Sequence, residues 1–431
     1  MSFPHLPVVE GMIGLFEPLE RDMLQETCFV CLQHLIESNG SMIEALLRAG
    51  AKPDQFFIGG KFYSTHDATW KSLRDLGATT VSHVKQPRSW RYTQRVREEV
   101  GRLWQFAIVA VLEKRLKRVI VLDDGGFCLR SIPSELLRLV PIFGIEQTTS
   151  GVNLRKLPAM VPIIQVATAA AKKELESPLI AEAVAAKMKV LRCDPNNDMV
   201  VGIAGIGSIG TAVADYWISQ GNRVIAFDRN KARLRWCSKA WPSCETTSDL
   251  RELVATSDMI FGCTGADFLR AFNWKKHSRA KRLRNLRLVS CSSRDIEFLS
   301  VLGHYYSEKK DKITDLLGTL ELNLGKVHIS VERGGYPINF DCTPESVPSE
   351  DIQLTRGLML AGVLQALRLD LQKVHGANNR LALDSSLQKF VVSKWLECNP
   401  SIRVKYEEKL LTNFADLAWI ARNSSASKSA K

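Results

Sequence analysis

The chain has 431 residues, of which 45% are hydrophobic and 24% charged, and its formal net charge is +12 at pH 7. That length calls for two or three domains, and the composition is that of an ordinary globular protein. It holds no uninterrupted apolar run of membrane-spanning length, and its N-terminus lacks a basic-then-apolar leader, so no membrane partner is expected. Ten cysteines in so long a chain do not form a disulfide framework. Several fall inside apolar, strand-like runs, Cys263 and Cys291 among them, and a reducing, cytoplasmic setting is expected. Cys28 and Cys31 have CxxC spacing, but with no second such pair and no histidine pair they read as buried thiols, and no metal is expected.

In the first part of the chain, β-rich runs at Gln55–Ile58, Thr80–His83, Arg118–Leu122 and Val161–Val166 alternate with helical patterns such as Gly40–Ala49 and Arg95–Arg115. This alternation predicts a parallel, doubly wound sheet. One run ends in two acids and two glycines, Val119-Ile-Val-Leu-Asp-Asp-Gly-Gly126. Because the carboxyl ends of strands border the ligand crevice of such a sheet, Asp123 and Asp124 are candidate site residues; the alternative is that they cap a helix or complete a turn. A second polar loop, Gly144-Ile-Glu-Gln-Thr-Thr-Ser-Gly151, carries a hydroxyl cluster suited to phosphate or ribose, or to starting a helix. Leu179–Leu191 reads as a connecting helix and Asp194–Asp198 as a turn.

Next comes Gly205-Ile-Gly-Ser-Ile-Gly210, between the apolar run Met199–Ala204 and a helix expected over Thr211–Gly221. A second apolar run comes after it and ends in an acid, Val224-Ile-Ala-Phe-Asp228. Glycines at 205, 207 and 210 permit a tight turn, close approach of backbone to a pyrophosphate, and close helix–strand packing. The helix N-terminus, at Ser208 and Ile209, offers N–H groups to phosphate. Asp228 stands where a carboxylate accepts from an adenosine ribose and disfavours a 2′-phosphate, an effect that Arg229 partly offsets. The whole strand–loop–helix–strand–acid pattern points to NAD.

Beyond it, Asp258–Gly265 and Leu286–Cys291 read as strands. The basic run Lys275–Arg287 is either a solvated face or a contact for an anionic partner, with no nucleic-acid module to support the latter. Leu302–Lys312 reads as polar surface, Val327–Val331 as a strand, Gln353–Leu371 and Ser385–Ala421 as helical, and 423–431 as a disordered tail.

From about His34 to Leu367 the chain resembles adenosylhomocysteinase, an NAD-dependent enzyme. The carriers, in order, are Phe62-Tyr-Ser-Thr-His-Asp67, Leu122-Asp-Asp-Gly-Gly126, Glu146-Gln-Thr-Thr-Ser-Gly151, the glycine loop, Phe261-Gly-Cys-Thr-Gly265 and Ile338-Asn339. The resemblance implies an α/β protein of two doubly wound domains, with an NAD-binding Rossmann domain inserted into a substrate-binding domain. The expected division is 1–190 for the first part of the substrate domain, 191–344 for the Rossmann domain, 345–375 for the return, and 376–431 for a helical extension. It also implies an active-site cleft, oxidation of a ribose 3′-hydroxyl, elimination at the 5′ position and reduction back. By the same carry-over His34 lies near the 5′ group, Asp124 is the catalytic aspartate, and Lys172 handles the 3′-hydroxyl. Thr148, Thr149, Ser150, Thr264 and Asn339 take cofactor positions.

The departures from that family are informative. Its ribose-binding glutamate is Gln147 here, and its aspartate after the lysine is Glu176. One histidine is lost where Ser290–Asp295 stands and another where Cys342–Ser346 stands, and Ile36 and Ser38 replace its adenine readers. The tail that reaches a neighbouring subunit is missing, although a homo-oligomer is still expected. These changes predict altered specificity: an enzyme acting on a nucleoside-like or polyol ligand through a transient ketone. The alternative is a catalytically silent NAD(H)-binding regulatory or interaction protein.

Overall fold

The computed structural model describes residues 3–81, 90–152, 161–274, 284–308, 316–369 and 379–400. The chain divides into two compact units. The first comprises Met1–His83, Val96–Glu176 and Cys342–Lys431, and the second Val84–Arg95 and Ser177–Asp341. The strands in chain order are β1 (Thr27–Gln33), β2 (Phe56–Gly60), β3 (Thr79–Val81), β4 (Arg118–Asp123), β5 (Ile142–Glu146), β6 (Ile163–Gln165), β7 (Val200–Ala204), β8 (Arg223–Phe227), β9 (Glu245–Thr247), β10 (Met259–Gly262), β11 (Arg284–Ser290), β12 (Leu320–Leu324), β13 (Val327–Val331) and β14 (Arg380–Ala382).

The first unit is built on a seven-stranded sheet of order β14-β6-β5-β4-β1-β2-β3, parallel throughout. Its central strands are apolar along their whole length because both faces are covered; every residue of β1, β2 and β5 is buried. The helix Ser349–Arg368 is buried nearly all round, against the helices Pro7–Ile13, Glu37–Ala49 and Ser385–Cys398. The segment after 375, expected as a helical extension with a disordered tail, also contributes β14 to the sheet edge. Asp384 starts its helix by accepting from the backbone N–H groups of Ser386 and Leu387.

The second unit has a seven-stranded sheet of order β12-β13-β11-β10-β7-β8-β9, parallel except for the hairpin pair β12–β13. Both units are thus doubly wound α/β folds, the second inserted in sequence into the first. One surface expectation is corrected. Leu302 belongs to the helix Leu299–Glu308, and Val301 and Leu302 are buried in a core with Ile329 and Val331. The polar residues of that stretch hid an apolar edge at its start. Residues 275–283 of the basic run and 401–431 of the C-terminal segment lie outside the described residues. No helix among the described residues is long and apolar enough to cross a membrane.

Candidate functional site

In the first sheet the strand order reverses between β1 and β4, which pair in parallel with Leu32 opposite Asp123. An open α/β sheet forms its ligand crevice at the carboxyl ends of strands at such a point. There the chain places His34 just past β1, Lys61 directly after β2, Asp124 directly after β4 and Gln147 directly after β5, all buried. Asp124 is their centre. Its Oδ1 accepts from Lys61 Nζ, its Oδ2 lies 3.2 Å from His34 Nε2, and Gln147 Nε2 donates to the same oxygen at 3.3 Å. On the other side of the imidazole, Ser64 Oγ lies 2.5 Å from Nδ1, and Lys61 Nζ is 3.4 Å from Nε2.

The charges in this cluster are fixed by burial and by one another. Burial and then the Lys61 ammonium hold His34 at about 4, so its imidazole is neutral at physiological pH. Burial raises the Asp124 carboxyl, but Lys61 and then His34 more than offset this and keep it well below the usual carboxylate range. A neutral imidazole between a hydroxyl and a carboxylate can pass a proton between them. Behind the cluster, Asp123 is raised to about 6 by burial, and its Oδ2 accepts from Leu129 N at 2.9 Å. Glu146, raised well above its ordinary value by burial and then by Asp123, accepts through Oε1 from Gly125 N, Thr148 N and Thr148 Oγ1. These two carboxyls organise the loops rather than face outward.

The other residues expected in this region take different places. Lys172 is ion-paired with Glu176 one turn further on and makes no contact with His34 or Asp124; the cation on Asp124 is Lys61. Thr148 is tied to Glu146, Thr149 is exposed, and the Ser150 side chain lies outside the described residues. Sequence reasoning missed Lys61, although a lone lysine closing the apolar run Phe56-Phe-Ile-Gly-Gly60 was available as a signal.

The second sheet reverses between β7 and β10. Here the crevice is built of backbone. Gly205 has φ +94°, and a Cβ on it would meet Cys263 O at 2.9 Å; a Cβ on Gly210 would fall 1.8 Å from Gly205 O. Beside Gly207 there is open space, and no side chain caps the helix Ser208–Ser219 that begins there. The N–H groups of its first turn are left for an anion. Asp228 accepts from Ile206 N at 2.9 Å and Asn230 N at 2.8 Å, with Arg233 Nη1 at 3.3 Å, so it shapes the glycine loop as well as closing the strand; Arg229 is exposed. Thr264 Oγ1 donates to Glu297 at 2.6 Å, and this buried glutamate, raised to about 7 by burial, also accepts from Gly265 N. Asn339 is buried, and its Nδ2 has no hydrogen-bond partner among the described residues. The space at Gly207, the uncapped helix and this unused donor fit a bound dinucleotide.

Residues 172–267 match the family model described as the NAD binding domain of D-isomer specific 2-hydroxyacid dehydrogenases. Two uncharacterized proteins of Mycobacterium tuberculosis, MT0113 of strain CDC 1551 / Oshkosh and Rv0104 of strain ATCC 25618 / H37Rv, are each 29% identical over 347 residues. Those matches cover 80% of this chain and 64% of each relative, so the chain spans less than two thirds of their length. Among solved structures, an L-alanine dehydrogenase has a TM-score of 0.38 at 13% identity, covering 85% of this chain and 99% of its own. A 2-hydroxyacid dehydrogenase from Ketogulonicigenium vulgare Y25 has 0.40 at 13% identity, covering 72% and 95%. The glycine-loop geometry and the family-model match over residues 172–267 together assign NAD binding to the second unit.

Proposed function

We propose that the chain is an adenosylhomocysteinase-like, NAD-dependent enzyme that carries a hydroxyl of a nucleoside-like or polyol small molecule through a transient ketone. The observation that carries this reading is the buried Ser64–His34–Asp124–Lys61 network at the carboxyl ends of the first unit's strands, in a chain that also carries an NAD-binding domain. In the second unit the glycine loop and the start of its helix would hold the pyrophosphate, and Asn339 would supply a donor. Bound NAD supplies a hydride acceptor and, once reduced, a donor. The work of the first unit is acid–base: Asp124 stays ionised, and neutral His34 takes or gives a proton at Nε2 or Nδ1. Lys61 holds the carboxylate in place, and Gln147 keeps one amide hydrogen on it. Lys172 with Glu176 forms a second ion pair. The order of the motifs from Leu122-Asp-Asp-Gly-Gly126 to Ile338-Asn339 supports the adenosylhomocysteinase-like part of the reading.

The test is to load the purified chain with NAD and follow NADH absorbance with adenosine, S-adenosylhomocysteine and neutral polyols. Substrate-dependent reduction, lost in Asp124→Asn with NAD affinity kept, is the expected result. Tight NAD binding with no reduction across the panel would overturn it. That outcome would favour the other reading, a silent NAD(H)-binding regulator, which one observation supports: both Asp124 oxygens are already occupied by Lys61, His34 and Gln147.

A further inference from the structure

Arg356 is a buried charge that makes no direct ion pair among the described residues. It lies within the helix Ser349–Arg368 and is 3% exposed. Its Nε donates to Ser38 Oγ at 3.1 Å, and its Nη1 has no hydrogen-bond partner among the described residues. Three carboxylates act on it through space, Glu345, then Glu176, then Asp124. Each is engaged elsewhere: Glu345 by the N–H and hydroxyl of Ser38, Glu176 by Lys172, and Asp124 by Lys61 and His34. None of the three forms an ion pair with Arg356. Glu345 is linked to Arg356 through the Ser38 hydroxyl, but burial pushes it up to about 7, so at neutral pH it is only partly ionised and balances the guanidinium in part.

A buried lysine or carboxyl escapes such a position by changing its protonation, but a guanidinium stays charged and keeps its full desolvation cost. Buried charges are normally paired. The planar fork matches a carboxylate or a phosphate, which take two of its N–H groups at once. Gln147 shows the complementary deficit: its Nε2 donates to Asp124, while its buried Oε1 has no partner among the described residues and can accept only from a hydroxyl or N–H. Asp124 links the two, since it bonds Gln147 directly and its charge reaches Arg356.

Resting on the polyol reading of the proposed function, we infer that the first unit's site takes a polyhydroxylated small molecule bearing an oxyanion, a carboxylate or a phosphate, held by Arg356, with a hydroxyl donating to Gln147 Oε1. A neutral polyol would leave the guanidinium unpaired.

The test is calorimetric titration of the full chain, loaded with NAD, with sorbitol, gluconate and sorbitol 6-phosphate, which differ in the charged group they carry. Gluconate or the phosphate should bind at least about tenfold more tightly than sorbitol, and which of them does so identifies the oxyanion. Arg356→Gln should erase that preference and leave sorbitol binding unchanged. Arg356→Lys, which keeps the charge and loses the fork, should retain part of it; this variant and the wild-type comparison suffice if the glutamine variant does not fold. Equal binding of all three, or a preference that survives Arg356→Gln, would overturn the inference and leave the polyol reading standing. Binding of none of them would overturn both.

Discussion

The two sheets reverse strand order at equivalent places, between β1 and β4 in the first unit and between β7 and β10 in the second. The residues just past the strand ends differ completely. In the first unit β1, β2, β4 and β5 lead into His34, Lys61, Asp124 and Gln147, side chains that meet one another. In the second, β7 runs into three glycines, and β10 into Cys263 and Thr264, leaving open space and uncapped backbone at Gly207. One topology makes two crevices. The first is filled with charge and suited to moving protons; the second is emptied of side chains and suited to lying against a phosphate. If this contrast is real, damage to the first should appear as stability and pH dependence, and damage to the second as cofactor affinity.

The largest effect should come from Lys61→Met. It leaves Asp124 buried with its principal cation removed, and breaking a buried pair from one side costs about 3–5 kcal/mol. Denaturant unfolding should show that loss, and the double variant Lys61→Met/Asp124→Leu should recover much of it. A cost near that of a surface ion pair would mean that water reaches Asp124 and that the first crevice is not a closed electrostatic unit.

Gly207→Val sharpens the contrast from the other side. A Cβ at 207 meets nothing within 4 Å among the described residues, so thermal unfolding should be unchanged. NAD affinity should fall by at least about 100-fold, some 2.7 kcal/mol, because the side chain fills the space a pyrophosphate needs. Gly210→Ala should behave differently and destabilise the unit itself, since its Cβ would lie 1.8 Å from Gly205 O. Unchanged affinity in Gly207→Val would remove the phosphate from this loop.

Legibility in the sequence divides along the same line. The second crevice is local: strand, glycine loop, helix and acid lie within about thirty residues, where spacing carries the geometry. The first is assembled from distant segments. Asp124 is readable because it closes a continuous apolar run, and His34 only through the resemblance. Lys61 is not, since its meeting with Asp124 depends on β1 lying between β2 and β4, and no spacing encodes that. Analogy gives Lys172 the 3′-hydroxyl, and the structure pairs it with Glu176, four residues on. β12 escapes notice despite the strict alternation of Leu320-Glu-Leu-Asn-Leu324. Arg356 is a single charge in the long apolar stretch of its helix, a visible oddity that only complete burial turns into a question.

A third prediction concerns pH. His34 is neutral in the folded protein down to about 4, against an ordinary value of 6.5. Between these values the unfolded chain binds the proton and the folded one does not, so stability falls as pH drops through this window. From pH 6.5 to about pH 5 the loss is about 2 kcal/mol at a slope of roughly 1.4 kcal/mol per unit. Asp123 works the other way: raised from 3.8 to about 6, it adds stability at low pH that is lost as pH rises through that range. The depressed Asp124 adds a further loss only at more acid pH, as pH falls below the unfolded carboxyl value of 3.8. The clean measurement is therefore the difference curve between wild type and His34→Gln, which should slope between pH 6.5 and 5 and flatten above. A difference independent of pH would mean that His34 keeps an ordinary titration and is not locked neutral by burial and Lys61.

The smallest effect should be at Asn339, an expected side-chain donor of the second unit. The side chain is buried, and Nδ2 is without a partner among the described residues. An unused buried donor gains nothing for the fold, so Asn339→Leu should leave the unfolding free energy within about 0.5 kcal/mol of wild type, or slightly higher. If the amide serves bound NAD, the same variant should weaken NAD binding by about tenfold, roughly 1.4 kcal/mol, the scale of one hydrogen bond lost in a buried site. Stability and affinity thus part company, as at Gly207 but through a side chain rather than backbone. A variant that loses stability without losing NAD affinity would assign Asn339 to the fold, and the second crevice would then rest on the glycine loop and helix alone.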